Sequence, residues 1–326
     1  MEFKNIIFDN FNEDDFNALA LKIFHFQYDQ NKIYRLYSDA LKVAPEKVNH
    51  YKQIPFLPVS FFKTHSVVSE CASPEKKFLS SGTTGMQCSM HEILDLSVYN
   101  VSLLQGFERF YGPVDKYAIF ALTPDRQQNP DSSLIYMINE WIRKSKSKYS
   151  GFYLDRSELL ASLLKKQESS GESTILIGLS YALMDFAETF PISLSSVIIM
   201  ETGGMKGKRK EMIREELHAF LSNRFNCENI HSEYGMTELL SQAYAKEHGR
   251  FMSPPWMKVL IRDTNDPLSL LPIGKSGGIN IIDFANFNSC SFLALQDLGK
   301  MNIDGTFEVL GRFDYSDLRG CNLMVD

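Results

Sequence analysis

Two short stretches of this chain carry residue types that could do chemistry together. Ser80, Ser81, Gly82, Thr83, Thr84 and Gly85 form a run of small and hydroxyl-bearing residues. Glycines let backbone N–H groups face a phosphate, and the hydroxyls add further donors. Later in the chain come Tyr234, Gly235, Met236, Thr237 and Glu238. The tyrosine offers a flat ring for a base and the threonine a hydroxyl for a phosphate. The glutamate offers a carboxylate for Mg²⁺, a hard cation that prefers oxygen ligands. Either stretch alone is weak evidence, but in this order they predict a nucleotide site that activates a carboxylate with ATP.

Other residues extend that reading, each with a plainer alternative. Glu238 follows a glycine turn at an expected strand end and can point at bound phosphate; a capping or surface glutamate is the alternative. Ile198, Ile199, Met200 and Glu201 read as a buried strand running into Gly203 and Gly204. Paired glycines let an adenine lie against backbone, and they equally make a tight turn. Lys206, Lys208, Arg209 and Lys210 read as phosphate contacts or as a solvated helix start. Asp297, expected just after a strand, is suited to accept both ribose hydroxyls, and Arg312 would add a rigid positive fork. Cys321 reads as an acyl-accepting thiolate if a neighbouring cation lowers its pKa, or as a small buried hydrophobe. Gly274, Lys275 and Ser276 look like the end of a Walker loop but lack its upstream glycine, so a turn is expected there. The seven histidines form no metal-spaced pair, and His91 and His231 receive no chemical role.

These residues need a scaffold to position them. Residues 11–45 read as helical, with Phe16, Leu19, Ile23 and Phe26 on one face, then Ile33, Leu36, Ala40 and Leu41 in a second run. Pro55 and Pro58 impose a rigid extended entry over residues 54–63. Strands are expected at 117–122, 174–179, 196–201 and 229–233. Helices are expected around 96–110, 133–144, 157–166, 181–188 and 208–225. That alternation predicts an α/β fold with a mainly parallel sheet covered on both faces. Beyond residue 250, short runs at 257–262, 278–283, 291–295 and 306–310 predict a small antiparallel β lobe. The division expected is 1–250 for the core and 251–326 for a lobe completing the nucleotide site, with the cysteine tail.

Composition narrows the classes further. A net charge of −6 gives no support for nucleic-acid binding, which usually needs a basic face. Five scattered cysteines without a C-x-x-C pair argue against a disulfide framework and a zinc site. No apolar run is long enough to span a membrane and the N-terminal run is too short for a signal segment, so a cytoplasmic protein is expected. The 24 phenylalanines and 14 tyrosines would suit a long apolar substrate, although an aromatic-rich core is the plainer explanation.

Taken together, residues 54–63, 80–85, Gly203 to Lys206, 234–239, 296–299 and the tail from Gly311 to Asn322 resemble the adenylate-forming superfamily. That superfamily holds acyl-CoA synthetases, luciferase-like ligases and peptide-synthetase adenylation domains. Within it the chain looks most like the LuxE-type acyl-protein synthetases, the fatty-acid-activating component of bacterial bioluminescence reductase complexes. The spacing of these segments covers nearly the whole chain.

The resemblance implies the large-domain fold of adenylate-forming enzymes, with ATP and Mg²⁺ used to turn a fatty acid or similar carboxylate into acyl-AMP. It implies that residues 80–85 bind phosphate, Tyr234 stacks on adenine, Thr237 holds the α-phosphate and Glu238 binds Mg²⁺. Asp297 would take the ribose with Arg312 assisting, and Cys321 would receive the acyl group as a thioester. A fatty acid or other acyl substrate is expected, with an acyl-carrier, reductase or acyltransferase protein as partner. The chain departs from larger members, which have Pro-Lys where Met86, Gln87 and Cys88 stand. It also ends where their mobile C-terminal domain, with its catalytic lysine, would begin, so slow or partner-dependent adenylation is expected. Two other readings remain open: an acyltransferase using a preformed acyl thioester without adenylation, and a non-catalytic nucleotide-binding scaffold subunit.

Overall fold

The computed structural model describes residues 3–70, 72–81, 87–205, 207–210 and 212–312. In chain order, α1 (Glu13–Gln30) and α2 (Lys32–Ala40) lead to β1 (Leu57–Pro58), the short α3 (Phe61–Thr64), β2 (Lys76–Leu79) and β3 (Met90–Ile93). Helix and strand then alternate through α4 (Leu96–Tyr111), β4 (Ala118–Leu122), α5 (Ser133–Lys144), β5 (Gly151–Phe152) and α6 (Ser157–Ser170). The alternation continues through β6 (Thr174–Leu179), α7 (Ser180–Thr189), β7 (Ile198–Thr202), α8 (Arg214–Phe225) and β8 (Ile230–Tyr234). Six strands follow: β9 (Ala243–Ala245), β10 (Phe251–Met252), β11 (Met257–Arg262), β12 (Ser276–Asp283), β13 (Phe292–Met301) and β14 (Phe307–Arg312). Among the described residues no helix is long and apolar enough to cross a membrane.

The chain forms two compact units. One holds residues 78–81 and 97–252, and the other the described residues of 1–77, 82–96 and 253–326. This composition is not the sequential division at residue 250, because residues 3–77 belong with the late strands.

In the first unit β5, β4, β6, β7 and β8 run parallel, and β9 and β10 add antiparallel strands beyond β8. β4 and β6 are buried along their whole length, as parallel strands covered on both faces must be. On one face Leu160 and Leu164 of α6, Leu183 and Phe186 of α7, and Leu217, Leu221 and Phe225 of α8 pack on Phe120, Leu176, Ile199 and Ile230. The opposite face is aromatic. Phe107 of α4 lies 4.7 Å from Trp141 of α5, and Tyr244 of β9 meets Tyr111 of α4 at 5.5 Å. Much of the chain's phenylalanine is thus core, as the plainer reading had it.

The second unit is an antiparallel sheet, β11-β12-β13-β14, with β1 pairing parallel to β13. Asn12 caps α1 by accepting from the Asp15 N–H, and Asn31 caps α2 by accepting from the Tyr34 N–H. Phe16 of α1 stacks on Phe284 at 4.4 Å, and Tyr34 of α2 stacks on Phe292. The expected α2 face is corrected here: Leu36 is 55% exposed, while Tyr34 and Ser38 are buried. Asn31 decides the rotation, because its amide donates to Ser289 O at 2.9 Å and fixes the start of the helix. Gln27 one turn earlier donates to Asn286 O and Phe287 O and accepts from the Ser291 N–H. These two side chains satisfy a buried loop that no strand partner could satisfy.

The expected strands and helices recur within a few residues, with three informative differences. The extended entry expected over 54–63 gives way to the helix α3 at Phe61–Thr64. α8 begins at Arg214, not 208. Gly207 before it sits at φ +67, and Arg209 is drawn off to α7. β13 runs on to Met301. Asp297 therefore lies inside a strand, where the reading had it after one.

Candidate functional site

Two of the proposed site segments, Gly203-Gly204 and Tyr234 to Glu238, sit where β7 and β8 end. These are neighbouring parallel strands, and their carboxyl ends are the edge at which open α/β sheets place ligands. β7 closes with Thr202 and runs into Gly203 and Gly204 at φ +70 and +63. That left-handed backbone is the physical reason for glycine, since a Cβ on Gly204 would meet nothing within 4 Å. β8 closes with Tyr234, which is 9% exposed, and its ring packs on Phe251 at 5.7 Å. Arg214 caps the other ring, its guanidinium 4.9 Å from the Phe251 centroid.

Directly after Tyr234 and Gly235, the Leu239 N–H donates to Met236 O at 3.1 Å. Thr237 and Glu238 are thereby the two central residues of a tight turn. Glu238 is 7% exposed, so it is not a surface glutamate. Among the described residues no three His, Cys, Asp or Glu side chains converge as a protein cage for a metal. A single buried carboxylate fits Mg²⁺ bound by one protein ligand together with phosphate oxygens.

Side chains on β8 alternate between the sheet's faces. Ser232 meets His218 of α8 at 3.2 Å, while His231 on the opposite face meets the Tyr111 hydroxyl of α4 at 3.0 Å. Glu201 of β7 lies on the α8 face. Arg214 Nε approaches its Oε1 at 3.3 Å, His218 Nε2 lies 3.6 Å from the same oxygen, and Ser180 donates to Oε2 at 3.1 Å. Burial opposes the charge on Glu201, but His218, Arg214 and Ser232 outweigh it and hold the carboxyl at about 2. Glu233 lies on the α4 face beside Tyr244, its partner across β9. Burial first, then the charge on Glu201, push it up to about 7 against the bond from Thr202. Burial and Lys246 push His231 down to about 4.

The sign for Glu201 is that of a depressed carboxyl. Its contribution is present above the ordinary value of 4.5 and is lost as pH falls toward 2. Glu201→Gln should cost roughly 3 kcal/mol near neutral pH. Urea unfolding of both proteins from neutral to acid pH should show the gap closing below the ordinary carboxylate value. A gap that stays constant with pH would assign the cost to packing.

The other unit pairs two more of the proposed residues. Asp297 of β13 and Arg312 of β14 stand opposite each other, with Arg312 Nε 3.4 Å from Asp297 Oδ1. Asp297 is buried by the strand's alternation, and the Arg312 side chain is 71% exposed. Ser80 and Ser81 follow β2, which pairs with β3 in a two-stranded ribbon. That ribbon is not part of the large sheet. Gly82, Thr83, Thr84, Gly85 and Cys321, together with Lys206, lie outside the described residues.

Several earlier alternatives now resolve. Arg209 is held by Asp185 and Glu188 of α7, so it serves the fold. Gly274 takes φ +84 and begins a turn into β12, as expected. Cys290 is buried, bonded to Phe292 O and pushed up to about 12 by burial, which makes it inert at neutral pH. Sequence reasoning missed Glu201, Arg214, His218 and Glu233. The available signal was a glutamate in the last-but-one position of two successive strands.

A family model described as "Acyl-protein synthetase, LuxE" matches residues 7–326. No curated protein matches the sequence. Among solved structures the chain is similar to ATP-bound MatB from Rhodopseudomonas palustris, with 14% identity and a TM-score of 0.54 over 72% of this chain and 47% of that one. It is also similar to 2-hydroxyisobutyryl-CoA ligase in its postadenylation state with 2-HIB-AMP, with 12% identity and a TM-score of 0.69 over 93% of this chain and 68% of that one. At such identities the likeness is one of fold, that of the adenylate-forming large domain. This chain spans about half the length of MatB.

Proposed function

Starting from the premise that this chain belongs to the LuxE acyl-protein synthetase family, a family of ligase-type enzymes, we propose that it activates a fatty acid or similar carboxylate with ATP. The carboxylate oxygen attacks the α-phosphorus, forming acyl-AMP as pyrophosphate leaves. A thiolate then attacks the acyl carbon, forming a thioester as AMP leaves. The thiol is that of Cys321 or of a partner protein.

The observation that carries this reading is the end of β8. A buried tyrosine is followed directly by a tight turn that presents Thr237 and a buried Glu238. In this reading Tyr234 takes the adenine ring, with Gly203 and Gly204 along it. Thr237 donates to the α-phosphate, and residues 80–85 donate to the phosphates. Asp297 accepts from the ribose hydroxyls, and Arg312 orients it across the 3.4 Å contact. Glu238 would hold Mg²⁺, which when bound neutralises charge developing on the phosphate oxygens.

Incubation with Mg·ATP and a labelled long-chain fatty acid tests this. The expected result is pyrophosphate release and protein-bound label that hydroxylamine removes. Loss of label with pyrophosphate release retained in Cys321→Ser identifies the protein's own thiol. Label from an acyl thioester without ATP would favour the acyltransferase. Nucleotide binding with neither product would favour the scaffold subunit.

A further inference from the structure

Two turns carry the residues proposed to face adenine, and one carboxyl group lies against both. Glu233, next to last in β8, is 7% exposed. Its Oε2 accepts from the hydroxyl of Thr202, the residue before Gly203. Its Oε1 stands 2.6 Å from where a Cβ on Gly235 would be, so the carboxyl group occupies the space that glycine leaves. Gln242 reaches the same place, its Cγ 3.3 Å from that point. Gln242 Oε1 is buried and has no hydrogen-bond partner, which makes it an acceptor in need of a donor.

Resting on the proposed function, we propose that Glu233 is a positioning residue for the nucleotide site: its carboxyl group holds the Tyr234-Gly235 turn to the Thr202-Gly203 turn, and Gln242 completes the hold. The hold requires the acid form. A proton on Oε1 is a donor in the space that Glu233 and Gln242 share, where the buried Gln242 Oε1 has none, and an ionised Oε1 offers that oxygen nothing.

The surroundings favour that proton. Tyr99 and Tyr111 from α4 and Tyr244 from β9 lie on this face, and burial raises both Tyr111 and Tyr244, keeping them neutral. His231, pushed down to about 4, is neutral as well. Glu201 acts on Glu233 from β7 with a negative charge that Arg214 and His218 hold in place. Lys246, over the Tyr111 ring at 5.4 Å, is a cation on this side. Glu233 should therefore lose its proton near neutrality, and the hold should loosen as pH rises.

The test measures the ATP dissociation constant and the kcat for pyrophosphate release from about pH 6 to about pH 9, with unfolding midpoints alongside. The proteins are wild type, Glu233→Gln and Thr202→Val. Wild-type affinity should weaken about tenfold across that range, with a smaller change in kcat. Glu233→Gln keeps a donor at every pH and should show a flat profile near the wild-type acid value. Thr202→Val should bind several-fold more weakly throughout. A profile as steep in Glu233→Gln as in wild type, or unchanged affinity in both variants, overturns the proposal and leaves the proposed function standing. Absence of ATP binding by the wild type at every pH overturns both.

Discussion

Replacing Glu238 with glutamine should slow pyrophosphate release on the order of a hundredfold at saturating ATP and acyl substrate. The substitution keeps the side chain's size and removes only its charge. The turn closed by Leu239 N–H and Met236 O uses backbone atoms alone, so it survives the change. Glu238, 7% exposed, follows directly on the threonine proposed to face phosphate, and one protein carboxylate with phosphate oxygens is a ligand set that suits Mg²⁺. Raising Mg²⁺ should recover part of the lost rate in the variant. A rate within a few-fold of wild type, with normal Mg²⁺ dependence, would remove Glu238 from metal binding and return it to a structural role.

Arg262→Met should lower stability by roughly 4 kcal/mol, and the unfolding midpoint by on the order of 10 °C. Arg262 is 7% exposed. It donates to Ile279 O at 2.6 Å, to Asn280 Oδ1 at 2.9 Å and to Leu295 O. Methionine retains most of the stem but leaves three acceptors without their donor. Gly278 is part of the same arrangement, since a Cβ there would lie 2.6 Å from Arg262 Cζ. This guanidinium links β11, β12 and β13, the strands that carry Asp297 toward Arg312. Calorimetry on the full chain reads the midpoint directly. A shift of only a degree or two would mean that water replaces the guanidinium at those carbonyls.

The elements were largely legible because the forces that set them are local. α5 at Ser133–Lys144, β6 at Thr174–Leu179 and β11 at Met257–Arg262 match the sequence expectation residue for residue. Apolar periodicity, turn residues and proline act over a few positions, and they are written in the chain itself. The failures also have local look-alikes. Gln296, Asp297 and Gly299 read as a strand end, yet β13 continues because Asp297 pairs with Arg312 and Gly299 with Val309. Ile33 and Leu36 look like a buried stripe, yet Asn31 turns α2 the other way.

By itself the sequence determined the alternating α/β order, the late antiparallel lobe, and the two hydroxyl- and glycine-rich segments whose spacing points to nucleotide chemistry. Only the tertiary structure decided which residues meet. It set Glu201 and Glu233 on opposite faces of adjacent strands, so that one carboxyl is pushed down to about 2 and the other up to about 7. It placed Arg262 in the gap left by Gly278, and Gln27 and Asn31 under a loop some 260 residues away. A strand's period fixes which side chains share a face but says nothing of its neighbours, which long-range pairing alone chooses.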